Sequence, residues 1–319
     1  MCWFNKTSLK VFLFVLNNYI LKRLIKFYPL ILIIIFSIRE GYGQDLEKKL
    51  QLSLSTGYQQ EDFHWDIAGN INGQSPNVLS ELKWKNVSGQ NYSAALQWNF
   101  WRRFSLLGEY NRVNVRSGSV SDMDYAGDNR TQPTYQENFS DNKGSVSAWN
   151  AGAGYVIFNN SLFSLIPYIG YGASTQSLYI VDLTGQFPDL NSSYDTRWKG
   201  PFIKVTSSVK IWRALKLTAD VTYNQVTYSA QGNWNLINEF QHPVSYRHAA
   251  KGYGINAGAR LVYNITTNIG LSVGYGYYNW QTGNGTDLLY LSSGQVDKTQ
   301  LNEVVRNGYR VVGGVILGL

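Results

Sequence analysis

Past Cys2 the 319-residue chain contains no cysteine, and only 15% of its residues are charged. Each scarcity closes off a class. Without cysteine there is no disulfide framework, no thiol nucleophile, no thiolate metal site and no lipid-attachment point after the leader. The three histidines, His64, His242 and His248, stand at no metal-ligand spacing. Charged residues in ordinary soluble proteins run near a quarter, so a surface meeting water on all sides is not indicated. After residue 43 no apolar run approaches the ~20 residues of a membrane-spanning helix. Strong charge of one sign is missing too. The formal +7 rests largely on Lys6, Lys10, Lys22, Arg23, Lys26 and Arg39, opposed only by Glu40; the remainder carries +2, which gives no footing for nucleic acid.

That basic segment reads as a leader. Lys22, Arg23 and Lys26 precede an apolar run from Phe27 to Ile38, followed by Gly41 and Gly43. This is the order of a secretory signal peptide. Residues 1–43 are expected to be the signal peptide and residues 44–319 the exported domain.

What the domain has in abundance is aromatic residues, 15% of the chain with 23 tyrosines, and 30 glycines. They fall into period-two patterns. Leu50, Leu52, Leu54, Thr56 and Tyr58 alternate with polar or small residues, as do Tyr92, Ala94, Leu96, Trp98 and Phe100. Tyr253 to Tyr263 and Ile269 to Tyr277 do the same. Strands this long with one apolar face suit a barrel in lipid with a polar interior. Short connections (101–103, 159–161, 212–214, 264–268) alternate with long ones (62–79, 117–145, 182–195, 229–246, 281–305). The count gives an all-β, ten-stranded antiparallel transmembrane β-barrel with five long extracellular loops. It requires one long strand from Ser80 to Phe100, bent near Ser88–Gly89. Trp98, Phe100, Trp101, Phe104, Phe158, Phe163, Trp212 and Tyr263 cluster beside the short turns, as an interfacial girdle should. Inward-facing Glu109, Lys216, Asp220 and Arg260 are expected to form an ion-paired plug. A barrel of about ten strands is also far narrower than the 16-stranded open porins.

At the outer rim lies SVSDMDYAGDNRT, residues 119–131. Asp122 and Asp124 repel at this spacing, which suits a metal, a proton transfer, or simply a solvated loop. An EF-hand calcium loop is excluded by Ala126 at its fifth position and Pro133 at its twelfth. No metal and no cofactor are expected. Asp128 and Arg130 are expected to pair and order the loop.

SELKWKNVSGQNYSAALQW (80–98), SDMDY (121–125) and YDTRWKGPFIKV (194–205) resemble segments of the omptins, ten-stranded outer-membrane aspartic endopeptidases that cut between basic residues. The resemblance implies Asp122 and Asp124 as the rim acid pair, facing an Asp-x-His pair from the fourth long loop. At the matching positions stand Asn233-Trp234-Asn235 or Asn235-Leu236-Ile237. Asparagine holds a water but takes no proton near neutral pH. The nearest substitute base is His242, after Glu239. SELKWK, SDMDYAGDNRT and the stretch from IPYIGYG to YDTRWKGPF also resemble the Protochlamydia outer membrane protein family, which implies a surface-exposed barrel without established peptidase chemistry.

Three functions follow. The first is a non-enzymatic surface protein of the bacterial outer membrane, monomeric, in contact with lipid and lipopolysaccharide, whose loops bind a host or other surface ligand. The second is an omptin-type peptidase using Asp122, Asp124 and His242. The third is a narrow channel.

Overall fold

Alternation over ten residues is enough to cross a bilayer; here the strands go on well past that length. The computed structural model describes residues 49–319, so the signal-peptide expectation for residues 1–43 lies outside the described residues. The strands are β1 (Leu50–Ile67), β2 (Ser80–Trp101), β3 (Phe104–Gly127), β4 (Thr131–Ser140), β5 (Ser145–Tyr155), β6 (Phe158–Asn159), β7 (Phe163–Val181), β8 (Asn191–Trp212), β9 (Leu215–Asn233), β10 (Tyr246–Asn264), β11 (Ile269–Thr282), β12 (Gly285–Tyr290) and β13 (Val296–Gly318). All pair antiparallel, and β13 returns to β1, matching Leu317 to Leu52 and Val311 to Tyr58. The closed ring has ten strands, β4 and β12 being extra lengths at its outer end and β6 a two-residue piece beside a short turn. The bend expected in β2 is there: its register against β3 shifts on both sides of Ser88.

Outward-facing residues bound the membrane band. Trp98, Phe100, Trp101, Phe104, Phe158, Trp212 and Tyr263 are all exposed beside the short turns. A second girdle marks the outer leaflet: Tyr223 stacks on Tyr253 (6.2 Å), and Tyr309 lies 6.4 Å from both Tyr58 and Tyr275. Strand length shows what lies beyond it. A tilted strand crosses the hydrocarbon in about 9–11 residues, whereas β2 has 22 and β3 has 24. About half of each long strand therefore stands outside the membrane.

This corrects the expected loops. Much of 117–145 is strand, with β3 running to Gly127 and β4 returning from Thr131, and 281–305 contains β12 and the start of β13. The reason is compositional: the outer ends of these strands alternate with serine, aspartate and asparagine, which read as loop.

The interior is filled in layers. At membrane level Lys204 binds Glu109 and lies 3.7 Å from Asp220. Of the expected ion-paired plug, Glu109 and Asp220 are paired, and the cation between them is Lys204 rather than Lys216 or Arg260. Above it Arg306 Nη2 donates to Glu61 Oε2 (2.8 Å) and Arg306 Nη1 to Ser174 Oγ (2.8 Å). Gln176 Nε2 donates to Glu61 Oε1 (2.6 Å), while Trp198 Nε1 and Thr196 Oγ1 donate to the Gln176 carbonyl. Higher still, Phe63, Trp65, Leu82, Trp84, Tyr194, Trp198, Tyr246 and Trp280 form an apolar core inside the extramembrane half of the ring. The outer end of the bore holds a sizeable space.

Candidate functional site

Above the aromatic core lies a cavity of about 680 Å³. Period-two geometry puts Asp122 and Asp124 on the same inner face of β3, one on either side of Met123, and both line it. Opposite them on the ladders stand Leu82 and Ser80 of β2, and Glu137 and Tyr135 of β4. Burial, and then the charge of Asp124, push the Asp122 carboxyl up to about 7. Asp124 is also raised by burial, against a hydrogen bond from Ser80. The same carboxylates act on Tyr135, whose hydroxyl is pushed up to about 12 by burial and then by Asp122.

The rest of the wall is mostly apolar: Trp65, Ile67 and Leu79 on one side, Phe139, Ile180 and Phe187 on another, Trp234, Leu236, Ile237 and Phe240 from the connection between β9 and β10, and Leu289 from β12. No lysine or arginine lines it.

A histidine does line it, and it is not the one expected. His242 lies on the exposed side of the connection between β9 and β10, within hydrogen-bond distance of Asn233 Oδ1 (2.8 Å) and Ile237 O (3.2 Å), and is not among the lining residues. The cavity histidine is His248, which stands isolated in the sequence. It faces Asp287 directly across the β10–β12 ladder, with Nε2 3.1 Å from Asp287 Oδ1. That contact is close enough for an ion pair but off the line of a good hydrogen bond, which leaves Nε2 without one. Nδ1 lies 2.7 Å from the Tyr194 hydroxyl, which is itself 2.7 Å from Tyr228 OH. The tautomer that suits all three has Tyr194 donating to Nδ1 and Nε2–H facing Asp287. The imidazole side chain has 0% exposure, closed in by Trp65 (4.9 Å), Tyr246 (5.0 Å) and Tyr194 (5.7 Å).

The remaining residues of the acidic stretch serve the rim. Arg130 does not form the pair with Asp128 that the sequence led us to expect. Its Nε donates to Glu81 Oε2 (2.8 Å), and its Nη2 lies 3.2 Å from Asp66 Oδ2. Asp128 Oδ1 accepts from Asn77 N (2.8 Å), and Asn129 and Asn77 exchange two hydrogen bonds (2.6 and 3.0 Å). Asn129 and Arg130 both take positive φ, 57° and 62°. A side chain that can bond its surroundings at once offsets the cost of that conformation. This turn thereby pins the first outer connection to the second. Among the described residues no group of three or more His, Cys, Asp or Glu is placed to hold a metal.

A family model described as Protochlamydia outer membrane protein matches residues 53–317, and the chain belongs to that family. Among solved structures it is similar to the outer membrane protease OmpT from Escherichia coli, at 14% identity and a TM-score of 0.68, over 87% of this chain and 99% of that one. The translocator domain of the autotransporter NalP from Neisseria meningitidis is 10% identical (TM-score 0.38, 95% and 98% covered). OprG from Pseudomonas aeruginosa is 11% identical (TM-score 0.37, 86% and 98% covered). No curated protein matches. The fold is that of the omptin-like barrels, and the protein resides in the bacterial outer membrane.

Proposed function

We propose that this outer-membrane barrel is a surface ligand-binding protein without peptidase activity, and that the extracellular cavity is where it binds. The observation that carries the reading is the engagement of His248. A general base needs a free lone pair within reach of the attacking water. The Nδ1 lone pair of His248 is taken by Tyr194, Nε2 faces Asp287, and the ring is sealed from solvent. His242, the other candidate base, belongs to the exposed side of its connection. The predominantly apolar wall fits a binding pocket for a small organic molecule, a class that runs from about 300 to 1,000 Å³.

The filled bore supports binding over conduction. Three stacked layers occupy it, and two spaces at membrane level measure only about 140 and 100 Å³. Outside the barrel, exposed Lys199 and Lys251 share a row with Thr227 just beyond the Tyr223–Tyr253 stack. Cations at that height suit the phosphates of lipopolysaccharide, the lipid partner expected from sequence.

One observation favours the peptidase as a second reading: Asp122–Asp124 and His248–Asp287 line the same cavity. The test is cleavage of a fluorogenic peptide containing an Arg-Arg bond by the refolded barrel with lipopolysaccharide. The proposal expects no turnover by wild type. Turnover abolished by both Asp122→Asn and His248→Ala would establish the second reading instead.

A further inference from the structure

The cavity carries its negative charge without a counterion. Asp122 and Asp124 form no ion pair among the described residues, and the nearby cations on the rim are engaged elsewhere: Lys83 and Arg130 both bind Glu81. His248 is committed to Asp287. Two carboxylates left in a largely apolar wall repel each other and lose hydration, a cost that an opposite charge placed between them would relieve.

A second feature of the wall is independent of the acids. Trp65 and Tyr246 are both more than nine-tenths buried and both line the cavity. Neither the Trp65 indole N–H nor the Tyr246 hydroxyl has a hydrogen-bond partner. Both atoms are closed off from open space, so what a ligand meets here is the rings rather than the N–H or the O–H. Together with Trp234 and Phe139 these rings offer faces that attract a cation.

We infer that the cavity binds a small amphipathic monocation, its ammonium group held by Asp122 and Asp124 and its apolar body packed against Trp65, Phe139, Trp234 and Tyr246. The inference rests on the reading of the cavity as a binding site. An anionic ligand would meet two carboxylates and no lysine or arginine; a neutral one would leave the acid pair uncompensated.

The surroundings of Asp122 give this a pH signature. It faces Asp124 on its own strand and Glu137 and Tyr135 on β4, and its charge reaches Tyr246 on β10, held above its ordinary range by burial, then by Asp287 and Asp122. None of these is a cation. The carboxyl titrates at about 7, so a bound ammonium competes with a proton there, and affinity rises as pH passes upward through that value.

The test is calorimetric titration of the refolded full chain with 2-phenylethylamine, 2-phenylethanol and 3-phenylpropionate at pH 8, repeated for the amine at pH 6. The amine should bind at least tenfold tighter than the alcohol, the acid weakest, and the amine severalfold weaker at pH 6. In an Asp122→Asn/Asp124→Asn variant, which preserves side-chain shape, the preference for the amine over the alcohol should disappear. Equal binding of amine and alcohol, an amine preference that survives the double variant, or no binding of any probe overturns the inference. Failure of the underlying reading is distinct: it is cleavage of the Arg-Arg peptide that disappears in Asp122→Asn.

Discussion

Two side chains decide what the cavity can do, and both have measurable consequences. Asp122 titrates at about 7 when folded, against about 3.9 in an unfolded chain. Between those values the folded state holds more protons, so stability falls as pH rises from about 4 to 7 and levels off above. Asp141, fully buried and pushed up to about 7 chiefly by burial, adds a decline of the same sign. Unfolding midpoints of the refolded barrel at pH 5 and pH 8 should therefore differ, and Asp122→Asn should shrink the difference. Tyr194 is the second. Its hydroxyl bridges Tyr228 and His248 with no exposure, so Tyr194→Phe leaves buried polar atoms unpaired and costs about 1–3 kcal/mol, read from urea unfolding. At this scale the sequence was half legible. The pair Asp122–Asp124 is local, two residues apart on one strand, and its placement at the rim was readable. The His248–Asp287 pair joins residues far apart in the chain through the register of β10 against β12. A search for Asp-x-His cannot find a pair made across a ladder.

Among the elements, β3 and its turn into β4 carry most of the rim. The stretch SVSDMDYAGDNRT looked like one acidic loop and divides into two tasks. Its first half is strand and supplies the cavity wall; its second is a turn held by Asn77 and by the Arg130–Glu81 pair. Asn77→Ala removes both side-chain contacts to Asn129 and should make the backbone between Gly127 and Gln132 severalfold faster to cut in limited proteolysis, with the barrel intact. The barrel strands were legible because an apolar outer face alternates strictly against lipid. Their outer halves were not, because beyond the girdle no such face is needed and the same backbone carries polar residues.

For the whole molecule, the ring closes around its own contents. The closed ten-strand topology followed from counting short and long connections, and the filling of the bore followed only in part. Glu109 and Asp220 were expected there; Lys204 and the Arg306–Glu61 layer depend on which strands face each other across the barrel. Arg306 is buried against Glu61 and under the rings of Tyr278 and Trp280. Arg306→Ala strands a buried carboxylate and should cost about 3–5 kcal/mol in unfolding free energy. The wild-type barrel in planar bilayers should give no single-channel steps.

The central claim is a cavity open to the outside above a closed bore, and the absence of cysteine after Cys2 makes it directly measurable. Single cysteines are placed, in a Cys2→Ser background, at Ser80 in the cavity wall and at Ser93 in the membrane-level bore. Intact cells are then treated with a membrane-impermeant maleimide. The account predicts labelling of Ser80→Cys and none of Ser93→Cys. Labelling of Ser93→Cys at a comparable rate, or protection of Ser80→Cys in a folded barrel, would contradict it.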